Sequence, residues 1–276
     1  MTIDNIRRAA HAIREARSIV ITAGAGMGVD SGLADFRGDK GFWKTYLPYR
    51  ELGLSFMELA SPRWFEEDPP FAWGFYGHRR KLYRSTQPHR GFEILRRWGE
   101  RCAGGSFVFT SNVDGHFQKA VFPPQRIIEC HGSLEFEQCS ANCGESIWAA
   151  PPVPVVVDET TMRAEGALPT CKGCGAVARP NILMFDDGGW DQNRHEEQFA
   201  RLERWIDASR DPLVVIECGA GTSVPNVRWF SESLAEAGTL IRINKHEPEV
   251  PEGEIGIALG ALEALERIDD VTQESE

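Results

Sequence analysis

Four cysteines of the chain stand in two close pairs. Cys139 and Cys143 are separated by three residues, and Cys171 and Cys174 form a Cys-x-x-Cys followed by Gly175. Thiolates paired on tight turns suit tetrahedral zinc. A set made only of cysteine leaves no open position, which favours structural over catalytic zinc. The plain alternative is four unrelated buried thiols. His131 precedes Gly132. An imidazole titrating near neutrality is a natural general base, although a single histidine is often structural. Asn112 offers an amide and Asp114 a carboxylate, a pair that can read a carboxamide or a ribose, or simply form an Asx-type turn. Gly24-Ala25-Gly26 can bring backbone N–H groups against a phosphate at a helix start. Val29 occupies the third-glycine position of the dinucleotide fingerprint, so a tight turn is the competing reading.

These residues need elements to position them. Short apolar runs at Ser18–Ala23, Ser106–Thr110, Arg126–Cys130, Pro212–Glu217, Thr239–Ile243 and Glu254–Ala258 read as strands. Apolar residues at helical spacing predict helices over 3–17, Phe71–Arg84 and Ala261–Ile268. Strands alternating with helices predict an α/β fold with a parallel sheet. The glycine loop, Asn112, His131 and Gly221-Thr222-Ser223 all follow strands. In such sheets the crevice at the carboxyl ends of the strands holds the ligand. Two regions break the alternation. Residues 39–89 are aromatic and helical, and 134–182 carry the four paired cysteines. The expected division is a Rossmann-type part (1–38, 90–133, 183–268), a smaller module (39–89 helical, 134–182 zinc-binding) and an acidic, frayed tail (269–276).

Composition narrows the function. There are 30 Lys+Arg against 41 Asp+Glu, a formal charge of −11, which disfavours a nucleic-acid binder that neutralises phosphates. The odd total of 7 cysteines disfavours a disulfide framework, and Cys102, Cys130 and Cys218 read as core thiols. No apolar run has the length of a membrane span, and the basic helical start does not resemble a signal peptide. The expectation is a cytoplasmic chain. Residues 79–101 hold eight Lys/Arg against Glu93 and Glu100, and most of these read as a solvated helix face.

Together the motifs resemble the sirtuin family. Gly24-Ala-Gly-Met-Gly-Val-Asp-Ser-Gly-Leu-Ala-Asp-Phe-Arg-Gly38 is similar to the family's NAD-binding loop, and Thr110-Ser-Asn-Val-Asp114 to its nicotinamide-pocket segment. His131-Gly132, the four cysteines, Arg179-Pro-Asn-Ile-Leu-Met-Phe185, Gly221-Thr-Ser223 and Ile243-Asn244 follow in the family's order over roughly residues 5 to 268. The resemblance implies a protein-lysine deacylase that consumes NAD. The acyl oxygen attacks the nicotinamide-bearing ribose carbon, nicotinamide leaves, and the acyl group ends on ADP-ribose. It implies that Gly24, Ala25 and Gly26 face the phosphates and that Asp35, Phe36 and Arg37 cover the reacting ribose. Ser111, Asn112 and Asp114 would hold the nicotinamide end, His131 would be the base, and Gly221, Thr222, Ser223 and Asn244 would sit near the adenosine. Met184 and Phe185 would contact the acyl-lysine substrate. An acylated protein would be the partner, zinc structural, and no membrane or nucleic acid involved.

Tyr76-Gly-His-Arg79 resembles the Tyr-x-x-Arg pair of members that remove succinyl or malonyl groups, and an Arg fork matches a carboxylate. Some positions depart from the family pattern. Ser111 replaces a usual Gln, which shortens a polar reach toward the nicotinamide ribose, while Gly28 replaces a Ser and Ala34 a Pro, changes expected to loosen the cofactor loop. Asp186-Asp187 stands where a Gly-acidic turn is usual. These departures keep two alternatives open: an NAD glycohydrolase or ADP-ribosyltransferase, and a non-catalytic NAD or ADP-ribose sensor.

Overall fold

The computed structural model describes residues 2–34, 49, 53–209 and 212–274. Six parallel strands form the main sheet: β1 (Ser18–Ala23), β2 (Ser106–Thr110), β3 (Ile127–Glu129), β9 (Leu213–Cys218), β10 (Gly238–Ile243) and β11 (Ile255–Ile257). Their order is β11-β10-β9-β1-β2-β3. The chain therefore winds outward from β1 in one direction and later from β9 in the other. Between these neighbours lies the topological switch point, where a crevice opens beyond the strand ends. In register, Ala23 of β1 lies beside Cys218 of β9.

Helices cover both faces because the strands are apolar on both. Ile19 and Ile21 of β1 join one core with Ile6 and Ile13 of α1 (Thr2–Glu15) and with Leu265 and Ile268 near the chain end. Val20 joins the opposite core with Leu202 and Trp205. This alternation is the period of a strand buried from both sides. A third core is aromatic. It surrounds α2 (Phe56–Leu59), α3 (Trp64–Glu67) and α4 (Pro69–Ser85) and includes Phe65, Trp73, Phe75 and Tyr76. Asp68 caps α4 through the Phe71 N–H, with prolines in the first turn.

Two antiparallel strands link the site to the cysteines. β4 (Gly132–Cys139) starts directly after His131 and ends on the first paired cysteine. It pairs with β8 (Ala178–Ile182), with β5 (Trp148–Ala149) on its other edge. A small ribbon of β6 (Val156–Asp158) and β7 (Arg163–Glu165) packs on α4. The remaining helices are α5 (Arg90–Arg101), α6 (His116–Lys119), α7 (Asn193–Ala208), α8 (Asn226–Ala235) and α9 (Ala261–Gln273). Among the described residues no helix is long and apolar enough to cross a membrane.

Two expectations are corrected. The frayed tail from Asp269 onward is instead the last turns of α9, which continues to Gln273. Ile268 and Thr272 continue its buried face, and Asp269 is buried, accepting from Trp98 Nε1 at 3.0 Å and pairing with Arg97 at 2.6 Å. The basic stretch 79–101 is not simply a solvated face. Arg80 makes a buried pair with Glu137 at 2.7 Å, and Arg84 pairs with Glu135 at 2.7 Å. Acids distant in sequence meet these cations.

Candidate active site

Backbone packing at the switch point explains the glycines. A Cβ on Gly24 would stand 2.7 Å from the Ala220 Cα and 2.8 Å from the Gly219 carbonyl oxygen. One on Gly26 would meet the Gly219 Cα at 2.8 Å. The loops after β1 and β9 therefore lie backbone against backbone, and Gly26 N–H donates to the Gly219 carbonyl at 3.0 Å. Gly219 itself has φ +64°, the left-handed region that favours glycine.

A cleft of about 1170 Å³ opens in front of these loops. Gly24, Ala25, Ser111, Asn112, Asp114, His131, Gly221 and Ser223 line it, and Tyr76, Arg79, Met184 and Phe185 also face it. Three expected contacts do not line it: Gly26, Thr222 and Asn244. Asn244 is buried, donating from Nδ2 to the Ala220 carbonyl at 2.7 Å and accepting from the His246 and Glu247 N–H groups. Thr222 donates to Glu247 at 2.5 Å. Both shape the loops beside the cleft. Asp35, Phe36 and Arg37 lie outside the described residues.

Asn112 and Asp114 combine both readings of that pair. The Asn112 side chain donates from Nδ2 to the Gly24 carbonyl at 2.9 Å, tying the loop after β2 to the glycine loop. Asp114 accepts from the His116 N–H at 2.9 Å, an Asx-type turn. Its other carboxylate oxygen points to within 3.8 Å of where a Gly28 Cβ would be. Local capping thus fixes a carboxylate at the cleft wall.

His131 is partly buried at the end of β3. Gly132 must follow it, because its φ is +75° and a Cβ there would sit 2.1 Å from the Asn181 carbonyl oxygen. The His131 carbonyl accepts from the Leu183 N–H at 3.0 Å, so the β4–β8 ladder seats the histidine beside Met184 and Phe185. Burial, with the nearby His195, lowers the His131 pKa below its ordinary value, while a bond to the Ser111 backbone opposes this. The ring is therefore neutral at physiological pH, the form that accepts a proton. Nε2 lies 3.4 Å from the Asn226 side chain at the start of α8.

The Asp186-Asp187 pair is not two free carboxylates. Asp187 is buried in an ion pair with Arg179 and accepts from the Met184 and Gly189 N–H groups at 3.1 and 3.2 Å. It organises the loop, while Asp186 is exposed at φ 56°. Tyr76 packs in the same aromatic core as Met184 and is buried, and its Oη has no hydrogen-bond partner among the described residues. Burial raises its pKa. Arg79, 7% exposed, donates from Nε to the Tyr83 hydroxyl at 2.7 Å and lies over the Phe75 and Tyr83 rings. Tyr83, Asn226, His246 and Glu247 line the cleft without having been singled out in the sequence. Tyr83 was in reach, four residues after Arg79 and hence on the same helix face. Asn226 opens α8, and His246 and Glu247 lie in the loop after β10, placements that only the sheet order reveals.

The paired cysteines fit zinc. All four Sγ atoms lie within 4.8 Å of one another. Cys139–Cys174 and Cys143–Cys171 are each 3.6 Å apart, close to the edge of about 3.8 Å in a tetrahedron with metal–sulfur bonds of about 2.3 Å. Cys139 and Cys171 are buried, and Cys143 and Cys174 are exposed. Of the remaining three, Cys130 and Cys218 are buried, and Cys102 packs on the core edge.

The cleft also fits a dinucleotide in its placement, its size and the close backbone around Gly24. The sequence profile of the Sir2 family matches residues 24–224. An NAD-dependent protein deacylase of Aquifex aeolicus is 30% identical over 235 residues, covering 84% of this chain and 85% of that protein. One of Thermus thermophilus is 28% identical over 276 residues, covering 95% and 93%. Among solved structures, a Sir2 homologue in complex with NAD is similar with a TM-score of 0.70 at 23% identity, covering 98% of this chain and 94% of that one. A Sir2 homologue bound to ADP-ribose is similar with a TM-score of 0.72 at 24% identity, covering 97% and 96%. Profile, relatives and fold agree with the switch-point cleft and the cysteine cluster: the chain belongs to the Sir2 family.

Proposed function

We propose that this chain is an NAD-dependent protein-lysine deacylase acting in the switch-point cleft. The observation that carries the reading is the convergence there of the glycine loop, Asn112, Asp114 and a neutral His131. NAD, as co-substrate, supplies the ribose carbon that receives the acyl oxygen and loses nicotinamide. The Ala25 backbone N–H faces its phosphates, with the Gly24 N–H held instead by the Cys218 carbonyl at 3.0 Å, so that Gly24 serves by its lack of a side chain. Asn112, already donating to Gly24, presents its carbonyl to the nicotinamide end, with Asp114 beside it. His131 takes a proton from a ribose hydroxyl. The acyl-lysine enters past Met184 and Phe185. The relatives named as deacylases support the reading, and zinc on the four cysteines would hold the hairpins that seat His131.

The finer proposal is a preference for acidic acyl groups. Support comes from Tyr76, whose buried hydroxyl has no hydrogen-bond partner among the described residues, and from the nearby Arg79 cation that lines the same cleft. A succinyl or malonyl carboxylate would accept from both. The test is zinc-loaded protein with NAD and acetyl-, malonyl- and succinyl-lysine peptides, read by nicotinamide release and peptide mass. Deacylation with the acidic groups fastest is expected. No deacylation of any peptide would refute the function, and acetyl-lysine turned over fastest would refute the preference. ADP-ribose release without peptide would favour the glycohydrolase alternative.

A further inference from the structure

The loop that carries Gly24, Ala25 and Gly28 was expected to be loose, because Gly28 and Ala34 give it little stiffness of its own. Other residues hold it. Residues Ala25–Ser31 form a 3₁₀ helix behind the cleft, with Met27 fully buried. Asp30 accepts from the Leu262 N–H at 2.9 Å, pinning the far end to the start of α9. The near end is held by His89.

His89 is the N-cap of α5 and reaches in two directions. Its Nδ1 accepts from the Gly91 N–H at 3.0 Å, which places the ring proton on Nε2. Nε2 is then the donor to the Met27 carbonyl at 2.9 Å. The His89 backbone N–H also donates to Ser31 Oγ at 3.0 Å. Gly91 has no side chain because the ring fills its place: a Cβ there would stand 2.6 Å from His89 Cε1. Phe92 holds the ring from the side, 4.9 Å between centroids. One side chain thus caps a helix and clamps the carbonyl between Gly26 and Gly28.

We propose that His89 is a positioning residue for NAD, fixing the Gly24–Gly28 backbone through Met27. The proposal rests on the reading that NAD binds this loop. Its test separates the two nitrogens. His89→Asn keeps an acceptor at the Nδ1 position and so the cap, but its amide is too short to reach Met27. His89→Gln keeps a donor at the Nε2 position and loses the cap. NAD binding to zinc-loaded protein is measured by calorimetry, alongside thermal melting. His89→Asn is expected to weaken NAD binding about tenfold and to melt about 2–4 °C lower, because the lost bond to the buried Met27 carbonyl also holds the free protein. His89→Gln is expected to bind NAD within about twofold of wild type while melting about 3 °C lower. Unchanged affinity in His89→Asn overturns the proposal, as do equal affinity losses in both variants that track melting. Wild-type protein that binds no NAD would instead defeat the reading beneath it.

Discussion

Gly24→Ala is the sharpest perturbation of the cleft floor. The added Cβ would stand 2.7 Å from the Ala220 Cα, about 0.7 Å inside the 3.4 Å at which ordinary contact begins. The Gly219 carbonyl oxygen at 2.8 Å blocks a second direction. Both are backbone, so no side chain can swing aside, and the loops after β1 and β9 must part. Overpacking of this kind costs about 1–3 kcal/mol. At roughly 2–4 °C per kcal/mol for a chain of this size, melting should fall by about 2–12 °C. The same parting strains the Gly24 N–H bond to the Cys218 carbonyl and moves the Ala25 N–H, so NAD affinity should fall with it. Gly188→Ala is the control, because its Cβ would meet nothing within 4 Å and it does not line the cleft. Scanning fluorimetry and calorimetry with NAD measure both variants. Gly24→Ala with wild-type melting and affinity would refute the packing argument, as would equal damage from Gly188→Ala.

Other predictions follow from the same geometry. Arg79→Met should lower kcat/KM for succinyl-lysine about 10- to 100-fold more than for acetyl-lysine, the range of a charge-assisted hydrogen bond, and equal losses in a two-peptide assay would make Arg79 purely structural. Chelating zinc should lower melting and abolish deacylation together, because the cysteine turns end the strands that seat His131, and metal analysis with fluorimetry checks this. Stability should fall on acidification. His78, His89, His116, His131 and His195 are all lowered, mainly by burial. Below the ordinary histidine value of about 6.5 the unfolded chain therefore binds more protons than the folded one. This stability is present above pH 6.5 and lost as pH falls through the lowered values, and a flat melting profile from pH 7.5 to 5 would contradict it.

Much of this was legible in the sequence, and for stated reasons. β1 and β2 have the bounds that their β-branched and aromatic runs set, because strands buried on both faces are continuously apolar. The cysteine spacing carried its own chemistry. The end of α9 was misread, because acidic composition after Ile268 hid Asp269 and Thr272, which continue its buried stripe. The role of Asp187 was not legible: the sequence marks it only as a departure from a Gly-acidic turn, whereas Arg179, eight residues earlier on β8, binds it. The glycines were read as phosphate access or a tight turn, and only the sheet order shows that Gly24 and Gly26 must also clear Gly219. His89 was invisible in sequence because its second partner, Met27, lies 62 residues away.

The central claim is that His131 is the base of an NAD-consuming deacylation in this cleft. The most direct measurement is deacylated peptide formed from acyl-lysine and NAD by wild-type protein and by His131→Ala, with NAD affinity and melting determined for both. The account predicts that the variant folds, binds NAD and loses deacylation by at least about a hundredfold, the scale of general-base catalysis. A His131→Ala protein that deacylates at the wild-type rate would contradict it.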